Sequence, residues 1–172
     1  MNLSAPLAGP LQVTPNGQFG AARPSRGGTH GAIDLVAADG QAVFAVADGV
    51  VARVGFDPPV PLGRGGGRYV VERFSDGDVM YEAGYFHLAS VEVEAGAALS
   101  SGDRVGSAGS SGAVSSGAHL HFQLRRLRPG ELGVMAREVV DPSSLFGLAA
   151  ASGGVLPVVA VGLAVLLLVL YA

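Results

Sequence analysis

The sequence predicts a mainly β fold: a single antiparallel β-sheet or sandwich domain with a groove, followed by one C-terminal transmembrane helix. Three observations predict it. From residue 30 to about 126 the chain is a series of short apolar runs bounded by Gly, Asp and Pro, the spacing of strands joined by tight turns. No amphipathic helix longer than about two turns is visible before the last segment. That segment, residues 155–172, holds no charged side chain, and only Pro157, Gly162 and Tyr171 interrupt its Val/Leu/Ala run.

Residues 1–28 read as an N-terminal arm, because Pro, Gly and Ser punctuate it and no period is sustained. The domain proper is read as residues 29–148. Within it, Ala42–Val46 and Val50–Val54 are expected to be strands of one hairpin, turned at Asp48-Gly49. Tyr69–Phe74 and Val79–His87 form a second pair, turned at Asp76-Gly77. Val105–Ser107 and Leu120–Leu124 add two more strands. The Gly-rich stretch Gly63–Arg68 lacks the Gly-Lys-Ser/Thr ending of a phosphate loop. Loops near 57–67 and 107–117 are expected to wall a groove floored by the sheet. Residues 149–154 are a short small-residue linker. As a helix, the eighteen residues that follow would span about 27 Å at ~1.5 Å each, close to the ~30 Å of bilayer hydrocarbon.

Composition bounds the function. The 172 residues are enough for one domain, and the tail raises the hydrophobic share to 49% while charged residues make up only 15%. With no cysteine, disulfides and thiolate metal sites are excluded. A net charge of −3 gives no support for a nucleic-acid or general polyanion partner. Residues 1–11 lack the basic and apolar regions of a secretory signal, and Pro6 and Pro10 break them up. The expectation is therefore membrane attachment through the C-terminal helix, with no signal peptide.

The chemistry lies in the four histidines. His30 and Asp34 stand in His-Gly-Ala-Ile-Asp, His87 in Tyr-Phe-His-Leu, and His119 and His121 in His-Leu-His-Phe. Residues i and i+2 of a strand face the same way, so His119 and His121 should project together. Two imidazoles and a carboxylate suit zinc, with a fourth position left open for water as in catalytic sites. Spacing alone leaves open which of His119 and His121 would bind the metal.

These motifs, in this order, resemble the lysostaphin-like zinc metalloendopeptidases, peptidoglycan hydrolases built on the duplicated hybrid motif β domain. The resemblance covers about residues 29–146. It includes Gly40–Val43, Ala45–Val51, Tyr85–Leu88, Gly102–Gly106, Ser116–Phe122 and the closing Asp141-Pro142. It implies one zinc ion per chain held by His30, Asp34 and His121. It further implies His119 as the general base, and His87 as the residue that orients the attacking water or stabilises the oxyanion. The substrate class would be peptide cross-links or stem peptides of bacterial peptidoglycan, reached at the cell envelope or from a phage particle membrane. Three positions depart from the family pattern: Ala32 for Gly, Ala118 for Pro and Gln123 for Glu. None removes a ligand or a catalytic imidazole. Two rival readings are an inactive wall-binding or regulatory domain of the same fold, and a membrane protein with a purely structural metal. The first loses ligands that this chain keeps; the second calls for a fourth ligand that no cysteine or fifth histidine supplies.

Overall fold

The computed structural model describes residues 1–24, 28–58, 65–112, 115, 117–129 and 135–148. The strands are β1 (Ala22–Arg23), β2 (Gly28–Thr29), β3 (Ile33–Val36), β4 (Ala42–Phe44), β5 (Gly49–Asp57), β6 (Gly67–Asp76), β7 (Val79–Leu88), β8 (Ser90–Val91), β9 (Ala98–Leu99), β10 (Arg104–Ser107), β11 (His119–Pro129) and β12 (Met135–Val140). One short 3-10 turn, Ser143–Phe146, follows them. The strands form a large sheet in the order β12-β11-β7-β6-β5-β9, with β3 also paired to β11. A three-stranded sheet, β4-β10-β8, and the β1-β2 ribbon complete the fold. Every pairing is antiparallel.

Alternation sets the faces. On β11, Leu120, Phe122 and Leu124 are fully buried, and one hydrophobic cluster joins them to Tyr85 of the large sheet and to Val43 and Val105 of the small one. The other face of β11 carries His119, His121, Gln123 and Arg125, so the large sheet has a core face and an open face.

The expected hairpin of β6 and β7 is present with its turn one residue later than Asp76-Gly77: the strands pair through to Asp76↔Val79, and Gly77 and Asp78 make the turn. The expected hairpin of Ala42–Val46 with Val50–Val54 is not. β4 pairs with β10 in the small sheet, whereas β5 pairs with β6 and β9 in the large one. The Asp-Gly dipeptide marks a crossing between sheets. Its geometry is held by Glu72, a buried carboxylate that accepts the Val46 and Ala47 N–H groups at 3.1 and 3.0 Å and the Tyr85 hydroxyl. Burial pushes the Glu72 carboxyl up, and these hydrogen bonds pull it back only in part. Glu72→Ala removes an acceptor from the buried Tyr85 hydroxyl and from the Ala47 N–H, leaving Val46 N–H only the Tyr85 oxygen at 3.1 Å, and is expected to cost about 3 kcal/mol in urea unfolding.

The segment read as an arm is part of the core. Leu3 and Leu7 are buried, Phe44 N–H donates to Pro6 O at 2.9 Å, and residues 12–17 run beside β3. β12 was not foreseen; it completes the edge of β11 beyond β3. No helix among the described residues is long and apolar enough to cross a membrane. The expected tail helix, its linker, and the centres of the two expected loop walls (59–64 and 113, 114 and 116) lie outside the described residues.

Candidate metal centre

Asp34 sits on β3 in register with His121 on β11, so adjacent strands place carboxylate and imidazole side by side. His30 precedes β3 and is tied down on both backbone sides: its N–H donates to Ala21 O, and its carbonyl accepts Gly20 N–H, each at 2.8 Å. His30 Nδ1 donates to Gln18 O at 3.2 Å, which leaves Nε2 with a lone pair facing the site. Asp34 is gripped by the N-terminal segment through Thr14 N–H to Asp34 O at 2.8 Å and Asp34 N–H to Gly17 O at 2.9 Å. A Cβ at Gly17 would lie 2.8 Å from Asp34 Cβ, so the segment approaches the ligand strand this closely because residue 17 has no side chain.

Three donor atoms converge. His30 Nε2 lies 3.2 Å from His121 Nδ1, His121 Nδ1 lies 2.8 Å from Asp34 Oδ1, and His30 Nε2 lies 3.2 Å from Asp34 Oδ1. A tetrahedral zinc ion with ~2.0–2.2 Å bonds sets its ligand atoms about 3.3–3.6 Å apart. The triangle fits one face of such a tetrahedron after opening by a few tenths of an ångström. Asp34 Oδ2 points away from the triangle and accepts from Arg23 at 3.3 Å. Burial alone would raise the Asp34 carboxyl, but the His121 and His30 imidazoles beside it outweigh that and hold it below the usual carboxylate range. Burial likewise pushes the His121 imidazole down against the pull of Asp34. Near neutral pH the cluster therefore offers an ionised carboxylate and a neutral His121, so no imidazolium proton has to be displaced there by a metal.

His119 and His87 stand beside the triangle. His119 is on β11 two residues from His121, and its Nε2 is 3.8 Å from Asp34 Oδ1. Its Nδ1 donates to Gly117 O at 2.8 Å, so the neutral ring presents Nε2 as a proton acceptor. His87 reaches the site by a different route. Along a regular β7 it would face the core, opposite to Phe86. A bulge between β6 and β7 inserts one residue here, and His87 takes φ 64°, which re-aims its side chain. Its N–H donates to Gly66 O at 3.0 Å and Nδ1 to Ser111 O at 2.9 Å. Its ring centroid lies 4.8 Å from that of His119 and 5.7 Å from that of His121. Burial lowers its imidazole to about 4.

All five sequence-predicted residues thus line one open cleft. Sequence reasoning missed Thr14, Asn16 and Arg23, which line it from the N-terminal side; the only available signal was the Asn16-Gly17 turn dipeptide. Gln123, one of the three departures, donates to Gly31 O at 2.9 Å and braces the backbone next to His30.

A converging nitrogen–nitrogen–carboxylate triad, with two free-edged imidazoles beside it in a cleft, defines a metallopeptidase-type centre. The comparisons give that class its family. Residues 28–142 match the sequence model of peptidase family M23, and the chain belongs to this family of metalloendopeptidases. A Haemophilus influenzae protein described as an uncharacterized metalloprotease is 34% identical over 94 residues, covering 55% of this chain and 18% of that protein. A zinc-containing peptidase from Vibrio cholerae superposes with a TM-score of 0.57 at 26% identity, over 76% of this chain and 35% of the other. The catalytic domain of the antimicrobial peptidase lysostaphin from Staphylococcus simulans gives a TM-score of 0.57 at 25% identity, over 85% and 92%. The chain thus spans about a fifth of the curated relative and about a third of the Vibrio peptidase.

Proposed function

We propose that this chain is a zinc-dependent endopeptidase that hydrolyses peptide cross-links or stem peptides of bacterial peptidoglycan. The observation that carries the reading is the convergence of His30 Nε2, Asp34 Oδ1 and His121 Nδ1 beside two imidazoles that take no part in the triangle. Zinc, when bound there, would polarise a carbonyl and lower the pKa of water. His119 takes the proton from the attacking water at Nε2, because its Nδ1–H is committed to Gly117 O, and later returns it to the leaving amine. His87 orients that water through Nε2, its other nitrogen being held by Ser111 O. Arg23 keeps Asp34 turned so that Oδ1 stays in the triangle.

Purified peptidoglycan incubated with the protein and zinc should yield new amino and carboxyl termini by mass spectrometry. A chelator should remove the activity, and zinc should restore it. Binding to the wall without any new termini would favour the inactive-domain reading.

Residues 155–172 are proposed as a membrane anchor, with the peptidase domain acting on the wall side of an envelope or phage membrane. Their apolarity and length support this. Full-length protein should sediment with membranes and resist alkaline carbonate. A chain freely soluble without detergent or lipid would sink the proposal.

A further inference from the structure

The open face of the large sheet continues past the metal donors. On β11, His121, Gln123 and Arg125 share that face, opposite Phe86, Gly84 and Glu82 of β7. Phe86 packs edge-on against His121, with centroids 5.5 Å apart. Its ring also overlies Gly84, where a Cβ would come within 2.6 Å of it. The floor therefore runs from the metal site, over Phe86, to Glu82.

At Glu82 the chemistry changes. This carboxylate is only 2% exposed and meets three guanidinium groups: Arg53 at 3.0 Å, Arg73 at 2.7 Å and Arg137 at 3.2 Å. They come from β5, β6 and β12, so the sheet itself fixes their positions. Each arginine side chain stays 38–42% exposed. One carboxylate cannot satisfy three guanidiniums with five N–H donors each. Among the described residues the cluster holds two more positive charges than negative, on a chain whose net charge is −3. Arg73 Nε is buried there without a partner. A carboxylate buried only to tie strands together needs no such excess, whereas an incoming anion would use it.

The four residue steps of β11 from His121 to Arg125 cover about 13 Å at ~3.3 Å per residue. An extended peptide lying along the floor with its scissile bond at the metal site would reach the cluster about four residues away. We propose that Arg53, Arg73 and Arg137, organised by Glu82, form a subsite for a carboxylate of the peptide substrate, roughly four residues from the bond cleaved. The inference rests on the peptidase reading above and extends it to acidic peptides.

The test uses the full chain and two peptides of one sequence. One carries a free carboxylate three to five residues from the cleaved bond, and the other carries the carboxamide. The quantity read is the ratio of kcat/KM for acid over amide. It should be about tenfold in wild type, close to one in the Arg53→Gln/Arg73→Gln double variant, and partly kept in Arg53→Lys/Arg73→Lys. Arg137 remains in both variants to pair Glu82. A wild-type ratio of one, or a tenfold ratio surviving in the Gln variant, overturns the proposal. If the Gln variant does not fold, salt decides: the wild-type preference should shrink as ionic strength rises through ~0.5 M, and a salt-independent preference counts against the subsite. If wild type cleaves neither these peptides nor purified peptidoglycan, the peptidase reading fails separately. The subsite is then judged by peptide binding in chelator, where equal Kd values for acid and amide overturn it.

Discussion

Asp34→Ala should abolish metal loading and hydrolysis together. Asp34 Oδ1 touches both other donors, at 2.8 and 3.2 Å, and supplies the only formal negative charge of the triangle. Without it a dication would meet only imidazoles. Losing a partner outside the coordination sphere already costs about 10–100-fold in metal affinity, so losing the ligand itself should cost at least ~100-fold. Asp34→Asn keeps the shape and removes the charge, and should fall in between. Zinc content after dialysis against a metal buffer reads the effect, with circular dichroism confirming the fold, since Arg23 also loses its carboxylate partner and keeps its bond to Asn16 O. Stoichiometric zinc at wild-type affinity in Asp34→Ala would refute the ligand assignment.

His119→Ala should leave zinc in place and lower kcat by about 10²–10⁴-fold, the usual range for a lost general base. The geometry separates the two effects, because His119 Nε2 stands 3.8 Å from Asp34 Oδ1, outside the 2.8–3.2 Å triangle. Loss of zinc in this variant would mean that His119 and His121 exchange roles. His87→Asn should also retain zinc and lose most activity. Asparagine is the informative replacement, because it tolerates the left-handed backbone that His87 occupies. Near-wild-type turnover in His87→Asn would remove His87 from the mechanism.

Local signals carried well where the structure is local. The β6–β7 hairpin, turned at Gly77-Asp78, and the shared face of His119 and His121 follow from turn chemistry and the two-residue strand period, and both are present. The Asp48-Gly49 hairpin failed because a distant buried carboxylate, Glu72, bends the chain there from one sheet to the other. His87 was legible as chemistry but not as geometry. Period-two reasoning turns it into the core, and only a bulge with a positive φ brings it to the cleft. The role of residues 1–24 escaped for a related reason: the segment has no period of its own and gains its structure by pairing with β4, β3 and β2. Arg23 and the arginines around Glu82 were hidden because nothing in the sequence places 53, 73, 82 and 137 together before the strand register is known.

The register of β3 against β11 also bears on the order in which the molecule assembles. β5, β6 and β7 are sequence neighbours and can meet by closing short loops. Asp34 and His30 lie 87 and 91 positions from His121, so β3 reaches β11 only by one of the longest closures in the chain, and such contacts pay their entropy before they are rewarded. The metal donors therefore do not exist as a set until that closure is made. A bound ion would act on the finished molecule more than on its formation: it would slow the departure of β3 while doing little to hasten its arrival. Occupancy of the site would then report a completed fold, and a chain arrested before the closure would carry every ligand residue and hold no metal.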